Sequence, residues 1–345
     1  MITFLFFLPF ILLIVVIGVY SERKIAAFIQ SRYGPMEVGP KGIIQAIADL
    51  VKMLQKEDIK PDNVDKPLFL VAPLIVFAAI FAGFSVLPMT IEIGGAQIHT
   101  GLFFLLAIVS LDVLGILMAG WGSNNKYSYY GAMRAVAQIV SYEIPLGLSV
   151  LGVVMFTQTL DLQEISSQQG IGSLIFGLST GYQVSGFLAW NVFQMPILWV
   201  SFLIFFIAGL AESNRTPFDL PESESEIIGG YHTEYSGFRW GIFMLSEYAM
   251  MLLVSFLAAI LFFGGWQTPF PNIGPLKLYD MTTGTEWGVF WLVLKVIGFI
   301  FIQIWIRWSY PRLRVDQLMS LSWKYLTPAA IIILFIVGIW KLIIV

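Results

Sequence analysis

Long apolar runs alternate with polar connectors along the whole chain. A helix needs about 20 apolar residues to cross a hydrocarbon core. Eight runs reach that length: 2–20, 67–90, 101–121, 138–160, 186–210, 240–263, 287–306 and 326–344. Spans this long predict helices, because barrel strands are about half as long. The run at 171–178 is too short to cross and reads as a surface segment. The pattern therefore predicts an all-α integral membrane protein. Residues 1–345 form a single membrane domain, a bundle of eight transmembrane helices.

The connectors depart from plain loops in two places. In "KGIIQAIADLVKMLQKE" (41–57), Ile43, Ile44, Ile47, Leu50, Val51 and Leu54 recur at helical spacing, with Gln45, Asp49, Lys52 and Lys56 opposite. This predicts an amphipathic helix lying along the membrane surface. It is either a simple interfacial anchor or the floor of an entrance for a lipid-soluble substrate. The Gly- and Pro-rich "SRYGPMEVGP" before it predicts a defined, non-helical path. The second departure is the connector 211–238, which carries Glu212, Asp219, Glu222, Glu224, Glu226 and Glu234. The connectors "LQEISSQQGIGS" and "QTPFPNIGPLK" read as ordinary loops, and His99 as a surface histidine.

Charge sets the orientation. Of the 19 bases, all but Lys277, Lys295 and Lys341 fall in alternate connectors on one face. The positive-inside rule places that face in the cytoplasm or matrix, and both termini on the outer (periplasmic or intermembrane) side. The acidic connector is then on the inside too. "RWSYPRLRVDQLMSLSWKY" brings Arg307, Arg312 and Arg314 near Asp316 and alone reads as a basic patch meeting anionic lipid. The N-terminus lacks the basic region of a cleavable signal.

Composition narrows the chemistry. The chain is 58% hydrophobic and 12% charged, against about 25% charged in a soluble domain. No cysteine is present, so the chain holds no iron–sulfur cluster or disulfide. Its two histidines fall in different loops and suggest no haem or metal site. Any electrons must come from a partner.

Four ionisable residues fall inside or at the edge of spans: Asp112, Glu143, Glu247 and Lys295. At mid-membrane each costs about 2.5–3.5 kcal/mol, so each needs a partner, water or a role. They are either ion pairs holding helices together or parts of a proton relay. Glu222, Glu224 and Glu226 alternate with serines; they share a face if extended, and Glu222 and Glu226 stack one turn apart if helical, so either way coupled titration is expected.

Four stretches carry a family resemblance: "ERKIAAFIQSRYGPMEVGPKGIIQAIADLVKMLQKE" (22–57), "GWGSNNKYSYYGAMRAVAQIVSYEI" (120–144), "AESNRTPFDLPESESEIIGGYHTEYSG" (211–237) and "IRWSYPRLRVDQLMSLSWK" (306–324). Nearly the whole chain resembles a family of membrane subunits of the proton-translocating NADH–quinone oxidoreductase, respiratory complex I, those at the heel of its membrane arm. The resemblance implies a multi-pass membrane subunit, read here as one of the bacterial cytoplasmic membrane because no import signal is visible, with an organellar inner membrane as the alternative. It implies a tunnel for a quinone (ubiquinone or menaquinone) and an acidic funnel that couples quinone reduction to proton translocation. Implied partners are the peripheral-arm subunits beside the terminal iron–sulfur cluster, small membrane subunits, antiporter-like subunits, quinone and lipid, with no nucleic acid. NADH, FMN and the clusters belong to partner subunits. This chain supplies no catalytic residue, metal site or cofactor of its own.

Carried over by position, the tunnel residues are Arg23, Lys24, Gln30, Arg32, Asp49, Arg215, Phe218, Phe238 and Arg307. The funnel and relay residues are Glu57, Glu143, Glu212, Asp219, Glu222, Glu224, Glu226 and Glu247. Pro221 stands where the family often has Ala or Thr, and Asp112 matches no family charge. Two rival readings are a membrane subunit of a related membrane-bound hydrogenase and an independent secondary transporter using Glu143, Glu247 and Lys295. No internal repeat of the transporter kind is visible.

Overall fold

The computed structural model describes residues 2–96, 98–175, 178–221, 224–272 and 277–344. Its long helices are α1 (Ile2–Ile29), α3 (Lys66–Gly83), α6 (Lys126–Thr157), α9 (Ile197–Glu212), α11 (Gly237–Phe262), α13 (Thr285–Ser309) and α15 (Thr327–Ile344). Between them lie α2 (Gln45–Gln55), α4 (Gly101–Val109), α5 (Leu111–Gly122), α7 (Leu162–Gln168), α8 (Asn191–Gln194), α10 (Glu224–Ile227), α12 (Leu278–Met281) and α14 (Val315–Ser320). Helices α4 and α5 follow one another across Ser110 and together make one span-length rod. A π-helical turn at Leu321–Leu326 joins α14 to α15.

Six segments among the described residues are long and apolar enough to cross a membrane: Lys66–Val86, Gly101–Gly122, Lys126–Thr157, Gly237–Phe262, Thr285–Ser309 and Val315–Ile343. Helix α9 is apolar but only 16 residues long. The predicted run 186–210 extends further back, yet Met195 is extended and Pro196 caps α9. A proline disfavours helix in the residue before it, so the run splits there.

Among the described residues the elements are helical except at one short hairpin. Residues Ile171–Ile175 (β1) and Leu178–Ser185 (β2) pair antiparallel, Ile171 opposite Ser185 and Ile175 opposite Leu178. The segment read as a loop and a surface run is therefore helix α7 followed by this hairpin.

Helix α11 is the centre of the bundle. From Ala249 to Phe262 every residue is buried, as expected of a helix that is apolar all round. It packs against α3, α9, α13 and α1, while α6 packs on α5, α9 and α15. The outer sides of α13 and α15 expose Leu294, Ile297, Phe301, Ile332, Phe335 and Ile339. A surface this apolar suits lipid or partner helices and not water.

One end of the bundle gathers the described parts of three connectors, 30–65, 213–221 with 224–236, and 310–314. Ser236 Oγ accepts from the Ile59 N–H at 2.9 Å, and Arg239 pairs with Asp58 at 2.9 Å. Gly131 on α6 lies against the backbone of Gly230 and Tyr231, and Ser128 Oγ donates to the Tyr231 carbonyl at 2.8 Å. The connectors are thus docked onto the helix ends.

Candidate functional site

Glu22, near the C-terminal end of α1, is the hub of this end. It is 5% exposed. Arg307, from the last turn of α13, ion-pairs with Oε1. Arg215, just beyond α9, reaches Oε2 at 3.1 Å, and the Tyr248 hydroxyl of α11 donates to the same oxygen at 2.6 Å. The Arg215 guanidinium also stacks 4.1 Å from the Tyr248 ring centroid. One carboxylate therefore ties four segments together. Burial works against the Arg215 charge, but Glu22, with Tyr248 and Glu247, outweighs it and holds the guanidinium pKa above the ordinary arginine value. Glu22 was not among the residues expected from the sequence. It sits in "ERK" beside two bases, and nothing local shows that it points inward.

Arg23, the residue after Glu22, lines three cavities, two of which touch the hub. One, of about 220 Å³, is mostly apolar and lies between α1, α2 and α11, with Val15, Val19, Leu50, Phe238, Leu245 and Tyr248 in its wall. Another, of about 430 Å³, is walled by Lys52, Lys56, Tyr235 and Trp240. The third, of about 540 Å³, includes Glu22, Arg32, Gln45 and Trp308. Arg23 ion-pairs with Asp49 of α2, and Gln45 donates to Asp49 at 2.9 Å. The apolar side of α2 faces away, with Ile43, Ile47, Val51 and Leu54 exposed.

Of the residues expected at a tunnel, the structure groups Arg23, Arg32, Asp49 and Phe238 at these cavities, and Arg215 and Arg307 at Glu22. Three lie elsewhere. Lys24 donates to the Pro35 carbonyl at 2.7 Å and holds the Gly/Pro turn. Gln30 is exposed at the turn after α1. Phe218 is buried against Tyr142, its ring centroid 5.2 Å away.

The carboxylates divide into separate groups. Glu212, Glu247 and Asp112 line one small cavity of about 10 Å³ between α5, α9 and α11. The Tyr231 hydroxyl donates to Glu247 at 3.0 Å. Glu143 is half-buried on α6, and its charge acts on Glu212. Asp219 pairs with Arg312 at 2.8 Å, and Glu226 with Arg134 at 2.6 Å. Glu57 is exposed, away from the small cavity. Glu222 and the side chain of Glu224 lie outside the described residues.

Bases from distant segments thus meet acids that the connector itself leaves unmatched. In the patch read at 307–314, Arg307 and Arg312 each make an internal ion pair, with Glu22 and with Asp219. Lys295 stands apart: its ammonium donates to the carbonyls of Phe263, Gly265 and Gln267 at 2.7–2.9 Å and lies 4.3 Å from the Trp190 ring centroid. It caps the C-terminal end of α11. No group of His, Asp and Glu able to hold a metal ion occurs among the described residues.

Fold and site together define a multi-pass helical membrane protein with a cluster of ion pairs at one end of the bundle. Residues 2–338 match the family model described as NADH dehydrogenase. The chain is 54% identical to H subunit 2 of the NADH-quinone oxidoreductase of Cytophaga hutchinsonii, over 97% of each chain. It is 52% identical to the H subunit of the Chlorobium luteolum enzyme, over 94% of this chain and 84% of that one. The H subunit of a Geobacillus species is 44% identical, over 95% and 90%. The chain belongs to the family of NADH-quinone oxidoreductase H subunits.

Proposed function

We propose that this chain is the membrane subunit that forms much of the quinone-access tunnel of a proton-translocating NADH–quinone oxidoreductase. It couples quinone reduction to proton translocation through its buried carboxylates. In this reading the chain spans the bacterial cytoplasmic membrane eight times, with α1 and α9 added to the six segments above and both termini outside. Helix α2 lies in the inner interface with its apolar side in lipid. The connector end faces the peripheral-arm subunits, which hold the NADH, FMN and iron–sulfur sites.

The single observation that carries this reading is the set of cavities joined at Arg23. An apolar opening between α1, α2 and α11 adjoins polar space next to the Glu22 hub. A lipid-soluble quinone has its tail in the first environment and its polar ring in the second, where Arg23, Arg32 and Asp49 offer charged hydrogen-bond partners. Charge changes at a reduced ring would reach Arg215 and Glu22, and from Arg215 the neighbouring Glu247. Glu247 in turn shares a cavity with Glu212.

The transporter reading needs Glu143, Glu247 and Lys295 on one path. Lys295 bonds to Phe263, which is 16 residues beyond Glu247 along the chain, roughly 24 Å at 1.5 Å per helical residue. Its ammonium is occupied by backbone carbonyls there, which supports the quinone reading.

Met53 lines both of the cavities beside α2. Met53→Trp in the assembled enzyme should raise the KM for quinone several-fold and leave NADH oxidation by an artificial water-soluble acceptor unchanged. An unaltered quinone KM would contradict the tunnel assignment.

A further inference from the structure

Asp112 is buried at 8% exposure, on the first turn of α5, midway along the Gly101–Gly122 rod. Its Oδ1 has no hydrogen-bond partner. It lines the same cavity as Glu212 of α9 and Glu247 of α11. That cavity, about 10 Å³, has space for roughly one water. The remaining wall is apolar, apart from Ser213, Asn214, Ser246 and Tyr231. Helix α3 contributes Val76 and Ile80 and nothing titratable, and among the described residues no Lys or Arg takes part in the wall. From α6, Glu143 and, from α5, Asp112 are the carboxylates whose charges act on Glu212.

A buried carboxylate oxygen without a donor is costly, and three carboxylates facing one space add mutual repulsion. A water with access to two to four polar partners removes the orphaned oxygen's penalty. Carboxylates that line one small cavity and feel one another's charge titrate in coupled steps, so one proton can pass among them with no change in net charge.

We propose that Asp112 is a proton-carrying residue of this cluster, linked to Glu212 and Glu247 through a water held in the cavity. The inference rests on the proposed coupling role of Glu212 and Glu247, and adds to it a residue from the α4–α5 rod. In the transfer, the O–H bond of protonated Asp112 breaks as its proton moves to the water. The water gives one of its own protons to the Glu212 carboxylate. Asp112 is left ionised, Glu212 neutral, and the total charge of the cavity unchanged. The path thus extends from the end of α9 into the middle of the membrane along α5.

The test uses the assembled enzyme and infrared difference spectra between its oxidised and reduced states, recorded in H₂O and D₂O. Asp112→Asn should remove one deuterium-sensitive protonated-carboxyl band and lower the protons moved per electron by at least half. Asp112→Glu should keep the band at a shifted frequency and restore most of the ratio. A spectrum and ratio for Asp112→Asn equal to the parent enzyme's would overturn the proposal. Should Asp112→Asn not assemble, an unshifted band in Asp112→Glu overturns it equally. Glu212→Gln serves as the separate control. If it leaves pumping intact, the coupling role of Glu212 fails, whereas the Asp112 band still reports whether that residue carries a proton.

Discussion

Replacing Glu22 by Gln should loosen the connector end more than any other single charge change there. The Gln amide keeps the shape but withdraws the negative charge from two cations at once. Arg307 is 26% exposed and can turn to solvent, whereas Arg215 is 4% exposed and cannot. Removing one partner of a buried pair costs about 3–5 kcal/mol, because the other charge stays buried without compensation.

At tenfold per 1.36 kcal/mol, even about 3 kcal/mol corresponds to a roughly 100-fold rise in local opening. The amides that should report it belong to the turn after α9, where Ser213, Asn214, Arg215 and Phe218 donate to Gly209, Ala211, Leu210 and Arg215. Hydrogen exchange followed by mass spectrometry on the assembled enzyme measures their protection directly. Glu226→Gln is the control, since its pair with Arg134 is exposed at both ends and is worth about 1 kcal/mol or less. Equal protection of residues 213–218 in Glu22→Gln and the parent enzyme would refute the hub.

Two further outcomes follow from the packing. Gly131→Ala places a Cβ within 2.6 Å of Gly230 Cα and 2.8 Å of the Tyr231 nitrogen, both backbone atoms that cannot swing aside. It should cost about 1–3 kcal/mol and lower the amount of assembled complex on native gels; parent-like assembly and thermal inactivation would contradict the contact. Lys295→Met leaves three carbonyls at the end of α11 without their ammonium. It should destabilise by at least about 2 kcal/mol, seen as faster thermal inactivation, while the protons moved per electron in the surviving enzyme stay unchanged.

The helices were the legible part of the sequence, because long apolar runs have few alternatives to a helix in lipid. Their breaks depended on single residues. Pro196 ends the backward extension of α9. The hairpin at 171–185 carried no turn signal strong enough to separate it from a loop.

The charge partners were illegible for a different reason. Glu22 meets bases 193 and 285 positions away, and Asp219 meets Arg312 93 positions away. Sequence spacing speaks only for neighbours a turn apart. The acid-rich connector therefore looked like a single uncompensated group. In the folded chain Asp219 and Glu226 are paired, and Glu212 and Glu247 share a cavity with Asp112.

The coupling role is tested most directly by Glu212→Gln in the purified, reconstituted enzyme, with quinone reduction and proton uptake recorded in the same vesicles. Neutralising the carboxyl between the connector end and the membrane interior should lower the protons moved per electron, or stop turnover where the two are strictly linked. Quinone reduction and proton uptake both at the parent enzyme's level would contradict it.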